Sequence, residues 1–430
     1  VFRSRHRSHH YFSDGPDHLT MSPGCADMGG VFIVPVEEEF EKMTDGLLNE
    51  LIAEVSITTE DQARINDRLT RKQPLLEVGI MSAGEIEFEV LSDGAGLRKA
   101  VLREGKIEYD GALYDELYFE AQTPSTMFAE PSFVLHGVTI GVNFHWERKE
   151  VQKFAGALKI IVEKDRLTAV NVVGVEDYLL SVISSEMSSS ASEEFLKAHA
   201  VISRSWVMAQ IGASGMKHII PVPEGVHDLP SLVTDLDMRT HHDCCAGSDV
   251  HEYVKWYDHD DHKLFDVCAD DHCQRYQGYA MAVGAEVRRA IDQTWGQVLR
   301  YEGEICDARY SKCCGGRTEL FSTCWEDKDY PYLTSVEDPF CDCENSEILS
   351  QVLNDYDMET GDFHDWTQRY SSKELSELVR SRSGIDFGDI ISMEAVERGP
   401  SGRIKYLRIE GSRHSEVIGK ELKIRRILSG

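Results

Sequence analysis

A chain of 430 residues is long enough for two or three domains with a sizeable core, and 41% hydrophobic with 28% charged residues is an ordinary globular composition. The formal charge of −30 excludes a nucleic-acid backbone as partner, because counterion release needs clustered Lys and Arg. No apolar run approaches the roughly eighteen residues of a membrane-spanning helix.

The first ten residues are basic and His-rich, do not begin with Met, and read without a signal peptide. Eleven cysteines, an odd number that includes the vicinal pairs Cys244-Cys245 and Cys313-Cys314, suit a reduced or metal-binding protein better than a disulfide framework. Residues 1–73 stand apart as an N-terminal extension. There, a Gly-rich turn from Ser22 to Gly30 leads into a short strand at Val31–Val34, and a helix is expected from Glu37 to Val55. From Leu75 to about Val170 the pattern is strand-rich, with Leu76–Ile80, Ile86–Val90 and Leu158–Val162 set between Gly and Asp turns.

The stretch Tyr178–Trp206 breaks this pattern with two helices. Leu179, Val182 and Ile183 share one face, and the next position on that face is Glu186, a carboxylate where an apolar residue is due. Burial raises such a group's pKa and fits it to act as a general acid; the alternative is a buried Glu neutralised by Arg204. Ser188 to Ser192 interrupt the helix, and Ser190 with Glu193 has capping-box spacing. Phe195, His199, Ile202 and Trp206 are then the expected buried stripe of the second helix.

Residues 211–261 read as a loop-like insertion. At its exit His262, Cys268, His272 and Cys273 supply two imidazoles and two thiols, a set that closes a tetrahedral shell around structural zinc; His241, His242, Cys244 and Cys245 are a rival source of ligands. Further on, Ala308–Glu319 carries Tyr310 and Lys312 in alternation, as on one side of a strand, followed by the Gly315-Gly316 pair. Cys313 and Cys314 lack a placed His base, which argues against a thiol nucleophile. The C-terminal part, residues 341–430, predicts a helix from Ser372 to Arg382 and strands at Ile390–Glu397, Ile404–Ile409 and Ser415–Ile418. The fold class expected is α+β, a strand-rich platform with a helical segment and a mixed α/β C-terminal part.

Tyr-Leu-x-x-Val-Ile-x-x-Glu-Met at Tyr178–Met187, followed by Leu-Lys-Ala-x-Ala-Val-x-x-Arg ending at Arg204, resembles the signature of the SpoIID/LytB family, which includes the stage II sporulation protein D type of lytic transglycosylase. Phe154–Leu158, the run around His272-Cys273-Gln274, Ala290–Leu299, Trp325, Tyr330–Leu333 and Asp338-Pro339 follow the family's order. The resemblance implies a core over residues 74–340 in which Glu186 is the catalytic acid, Arg204, Tyr310, Lys312 and Thr318 bind substrate, and His262, Cys268, His272 and Cys273 hold zinc. It implies cleavage of denuded peptidoglycan glycan strands with anhydro-muramyl products by one carboxylate; the motif holds no obvious partner acid, and Asp177 and Glu319 are the rivals that sequence distance leaves open. A non-catalytic glycan-binding module or modifier of a cell-wall amidase is the alternative. The substrate implies the cell envelope or periplasm, whereas the thiols and lack of an export segment fit the cytoplasm. The family's final Gly-His-Gly-x-Gly-x-x-Gln motif does not follow Gly419–Arg425, as expected of a truncated C-terminus. Residues 1–73 weakly resemble the tail of nucleotidyltransferase-like proteins related to galactose-1-phosphate uridylyltransferases, and read as a fusion remnant or an amphipathic arm.

Overall fold

The computed structural model describes residues 7–20, 34, 36–55, 73–120, 130–141, 147–213, 251–254, 262–279, 284–341, 346–353 and 367–428. Two units result, one within residues 1–72 and the other from residue 73 onward. In the first, two helices, α1 (Glu37–Phe40) and α2 (Asp45–Val55), take the place of the single helix expected. The break falls at Thr44, whose Oγ1 accepts the Leu47 N–H and restarts the helix as a cap. Leu19 and Leu51 are its buried core. The turn and strand expected before α1 lie outside the described residues, apart from Val34.

The second unit is α+β. Ten strands come first: β1 (Leu75–Ala83), β2 (Glu85–Val90), β3 (Leu97–Arg103), β4 (Lys106–Tyr109), β5 (Ala112–Tyr114), β6 (Glu116–Phe119), β7 (Phe133–Ile140), β8 (Arg148–Phe154), β9 (Ala157–Glu163) and β10 (Arg166–Gly174). Two helices, α3 (Val175–Glu186) and α4 (Glu193–Ala213), follow, then the short strands β11 (His251–Val254) and β12 (Val267–Cys268). One sheet has the order β5-β4-β3-β2-β7-β8 and the other β12-β1-β10-β9-β6. Alternation sets their faces: in β2, Ile86 and Phe88 are fully buried while Glu85, Glu87 and Glu89 take the opposite face.

Gly156, between β8 and β9, has φ 84°, and a Cβ there would lie 2.3 Å from the carbonyl oxygen of Val172. Gly156→Ala should therefore lower stability by about 2 kcal/mol, read from urea or thermal melts. An unchanged midpoint would mean that β9 and β10 separate at little cost.

β10 runs directly into α3 through Gly174. No side chain of the helix's own N-cap satisfies its first N–H groups; Gln73 does so from the other end of the fold, accepting from Glu176 N–H at 2.6 Å and donating to Asp177 Oδ2 at 2.8 Å. A Cβ on residue 174 would strike that Gln73 amide at 2.3–2.6 Å, so the cap requires glycine there. From Val175 to Ser185 every residue of α3 is buried. The cap of α4 is Ser192, whose Oγ accepts the Phe195 N–H, while Ser190 bonds Ser188 instead. Of the expected stripe of α4, His199 and Trp206 are buried while Phe195 and Ile202 are half-buried; Leu196, Ala200, Ser203, Arg204 and Val207 complete the buried side.

Next come α5 (Ala285–Gln293), the hairpin of β13 (Arg300–Tyr301) and β14 (Glu304–Ile305), and the short helices α6 (Phe321–Cys324) and α7 (Ser346–Val352). Then α8 (Ser372–Ser383) begins at a Ser371–Glu374 capping box and ends at left-handed Gly384. The strands β15 (Ile390–Arg398), β16 (Ile404–Gly411) and β17 (Ser415–Gly419) follow near the expected positions, with β11 joining β17 in parallel, before α9 (Glu421–Leu428). Val379, Phe387, Leu407, Ile409, Ile418, Ile424 and Ile427 form the core of this part. The expected insertion, apart from the end of α4 and β11, lies outside the described residues.

Candidate functional site

The site is built where the segment 262–279 threads between the platform and α3. Its β12 pairs in parallel with β1 through Val78 and Gly79. Only glycine at 79 leaves room for the Phe265 ring, since a Cβ would meet it at 2.6 Å. Beyond β12 the chain is fastened by polar bonds in a dry setting: Tyr276 O–H donates to Asn171 at 2.7 Å, Tyr178 O–H to Gln274 at 3.1 Å, and the Gln277 N–H to Ser181 at 3.0 Å. Gly278, with φ 59°, brings the backbone against the Lys153 carbonyl, which accepts the Tyr279 N–H at 2.7 Å.

Glu186 sits at the last turn of α3, facing this strap. Its Oε1 accepts the backbone N–H of Arg275 at 2.8 Å. Burial raises its pKa; the Arg275 N–H and guanidinium oppose the rise, Asp271 adds to it and Lys312 pulls against it. Tyr310 brings its hydroxyl into the same pocket, where burial first and the Glu186 charge second push the phenol well up, against the nearby Ser203 and Gln274 side chains, which lower it. The residue as a whole is 36% exposed, so the solvent-open part is its ring. His199 lies edge-on to that ring, with centroids 5.4 Å apart. Both its nitrogens are buried without a hydrogen-bond partner, and burial pushes its pKa down to about 4. It is a neutral wall, not a base.

The raised Glu186 pKa has a definite sign for stability. The folded state favours the protonated carboxyl, so the contribution is complete below the unfolded Glu pKa and is lost as pH rises through the higher folded one. Glu186→Gln, which keeps the acceptor without the charge, should gain stability relative to the wild type as pH rises above the ordinary carboxylate range and through the raised pKa of the folded state. A melting-temperature difference that does not change with pH would overturn this.

Beside this pocket the ligand atoms of His262, Cys268, His272 and Cys273 all lie within 4.8 Å of one another. Cys273 Sγ is 3.5 Å from His262 Nε2 and 3.4 Å from His272 Nδ1, spacings of the kind that tetrahedral bonds of about 2.0–2.3 Å impose. Cys273 and then the two imidazoles hold Cys268 as a thiolate, well below the usual thiol range. This set fits a metal ion. The rival group His241, His242, Cys244 and Cys245 lies outside the described residues.

Two expected substrate contacts are occupied otherwise. Arg204 is 1% exposed and forms a two-pronged pair with Glu176, Nε to Oε1 at 2.9 Å and Nη2 to Oε2 at 2.6 Å, and donates to the Gln297 carbonyl at 3.0 Å. It neither neutralises Glu186 nor faces a groove. Thr318 Oγ1 donates to the Thr334 carbonyl at 3.1 Å and accepts the Val336 N–H at 2.8 Å, holding a turn together. Tyr310 and Lys312 lie in irregular chain, not in a strand; Lys312 is exposed, and its charge reaches Glu186. Of the rival acids, Asp177 belongs to the Gln73 cap and Glu319 accepts from Ser401 and Leu320. The sequence pattern does not single out Gln274 and Arg275, although both stand in the run around His272-Cys273, nor Glu176, and it marks Tyr178 only as the start of the helical motif.

Residues 163–301 match the family described as stage II sporulation protein, SpoIID, and residues 319–430 match a domain of unknown function, DUF8618. Glu186, Arg204 and the four Cys and His residues fall inside the first match; Tyr310, Lys312 and Thr318 fall outside it. An uncharacterized protein of Brachyspira hyodysenteriae is 24% identical over 208 residues, 47% of this chain and 44% of its own length. An amidase enhancer of Bacillus subtilis is 37% identical over 65 residues, 15% of this chain and 9% of its own. The chain thus spans less than half the length of either relative.

Proposed function

From the premise that the chain carries a SpoIID domain at residues 163–301, we propose that it acts on the bacterial cell wall as a lytic transglycosylase of peptidoglycan glycan strands. The observation that carries this reading is Glu186, a carboxylic acid whose pKa burial raises, beside a phenol and within reach of a lysine charge. Asp271, the other carboxylate felt at Glu186, is engaged by Arg275 at 3.0 Å. A hydrolase normally uses two acids flanking the bond, whereas this chemistry needs one.

Protonated Glu186 donates to the oxygen bridging N-acetylmuramic acid and N-acetylglucosamine, and the bond from that oxygen to the muramyl C1 breaks. The resulting carboxylate takes the proton of the muramyl C6 hydroxyl as O6 bonds to C1, closing a 1,6-anhydro ring and returning Glu186 to its starting form. Tyr310 would hydrogen-bond to the sugar or stack on it, and Lys312 would balance charge as the carboxylate forms. Arg204 and Thr318 would support the walls. His262, Cys268, His272 and Cys273 would hold zinc in a filled shell, which stiffens the strap and leaves no open coordination position. Such a substrate lies in the cell envelope; among the described residues no helix is long and apolar enough to cross a membrane.

Mass spectrometry of digests of denuded and peptide-bearing glycan tests this. Anhydro-muramyl ends are expected; reducing muramyl ends would identify a hydrolase and overturn it. The likeness to an amidase enhancer favours a second reading, a partner of a wall amidase. That role predicts faster amidase turnover with no glycan ends released.

A further inference from the structure

The turn that carries Cys313 and Cys314 has a chemistry that the Glu186 pocket does not use. Cys314 Sγ, an Asp338 carboxylate oxygen and Cys341 Sγ lie within 4.8 Å of one another. Cys314 Sγ is 3.6 Å from Asp338 Oδ2, and the Cys313 and Cys341 sulfurs are also 3.6 Å apart. Tetrahedral zinc–thiolate bonds of about 2.3 Å separate neighbouring ligand atoms by about 3.8 Å, so the donors already stand at nearly the spacing that an ion would impose.

Their surroundings match the donor set. Cys341 Sγ accepts the Cys314 N–H at 3.0 Å, the kind of bond that stabilises a thiolate ligand and fixes its direction. Gly315 and Gly316 both have positive φ, 66° and 92°, so the chain bends sharply after the vicinal pair and turns its N–H groups back toward the sulfur. Asp338 Oδ1 is held by the N–H groups of Phe340 and Cys341, both at 3.2 Å, which leaves Oδ2 on the Cys314 side. Arg403 donates to the Cys314 carbonyl at 2.9 Å and brings a cation to offset an anionic cluster. The need is also evident: from Cys306 to Cys341 regular structure is confined to the four-residue α6, so few backbone ladders hold the chain that presents Tyr310 and Lys312. Loop-rich segments of this kind gain most from a metal staple.

We propose that Cys314, Asp338 and Cys341, with Cys313 as the fourth ligand after rotation about χ1, form a second zinc site, separate from the His262–Cys273 set. Thiolate softness selects zinc over magnesium or calcium. The ion joins the Cys313–Gly316 bend to the segment after Val336, where Asp338 N–H already bonds the Gly316 carbonyl at 2.9 Å, and so fixes one wall beside Glu186 without touching substrate. The assignment is independent of the reaction proposed for Glu186.

Metal content of the full chain decides it. Purified under reducing conditions and dialysed against zinc buffer, the protein should carry two zinc ions per chain by native mass spectrometry. Cys314→Ser with Cys341→Ser should remove one, and Cys268→Ser with Cys273→Ser the other. Should the first pair fail to fold, cobalt titration of the second pair gives an equivalent readout, because thiolate-to-cobalt charge-transfer absorption must persist there. A single zinc lost entirely with Cys268 and Cys273, no such absorption, or a Cys313–Cys341 disulfide in peptide maps of the reductant-free protein would overturn the assignment.

Discussion

Glu186→Gln should lower the rate of glycan cleavage by about 10²–10⁴-fold or more, the usual range for a positioned proton donor, while the fold persists. The amide keeps an oxygen to accept the Arg275 N–H, now at 2.8 Å from the carboxylate, and it relieves the burial that raises the acid's pKa. Stability and activity thus move in opposite directions, a combination that general damage to the protein cannot produce. Glu186→Asp is a second arm: the proton is retained but withdrawn by one methylene, and loss of rate with unaltered melting points to geometry. Initial rates on denuded strands, beside a thermal melt of each variant, give the answer. If Glu186→Gln turned over at the wild-type rate, the acid–base account would fail.

Arg204→Ala should cost about 3–5 kcal/mol of stability, since it strands a buried carboxylate. Glu176 and Arg204 have side chains only 3% and 2% exposed, and Glu176 has two further ties, its own N–H to Gln73 and its Oε1 to the Gly296 N–H at 3.2 Å. Domains are stable by about 5–15 kcal/mol, so a loss of this size is a large share of the total. The double variant Glu176→Leu with Arg204→Met should recover most of it, because an apolar pair of similar volume avoids the desolvation of both charges. Urea midpoints of the two singles and the double test this. If Arg204→Ala alone left the midpoint unmoved, the pair would not be the brace of the helical hairpin.

Much of this arrangement was legible beforehand, and the failures have physical reasons. Glu186 stands out as a candidate because a carboxylate breaks an apolar period, and the Cys and His set because its donors crowd into twelve residues from His262 to Cys273. The strands of the C-terminal sheet were read from alternation within a residue or two. Arg204 was misassigned because its interval from Glu186 was weighed without the hairpin's geometry. Antiparallel helices pair residues equally far from the connecting turn, and Glu176 and Arg204 each lie fourteen residues from Ser190. That symmetry is present in the sequence, although nothing in the local pattern singles out Glu176. The roles of Gln73 and Gln274 could not be read in this way, because side-chain bonds spanning 103 and 71 residues leave no local trace. Thr318 failed for a related reason: a hydroxyl near a glycine turn serves backbone closure as readily as a ligand.

The bond that restrains Glu186 comes from a main-chain N–H, not from a side chain. Substituting residue 275 with anything but proline therefore leaves that donor in place, and after burial the position of this peptide unit is the next influence on the acid's proton affinity. That unit lies two residues beyond a cluster thiol, Cys273. Anything that shifts the cluster, an oxidant for example, would alter the acid's proton affinity from a distance, with the Glu186 carboxyl itself chemically intact.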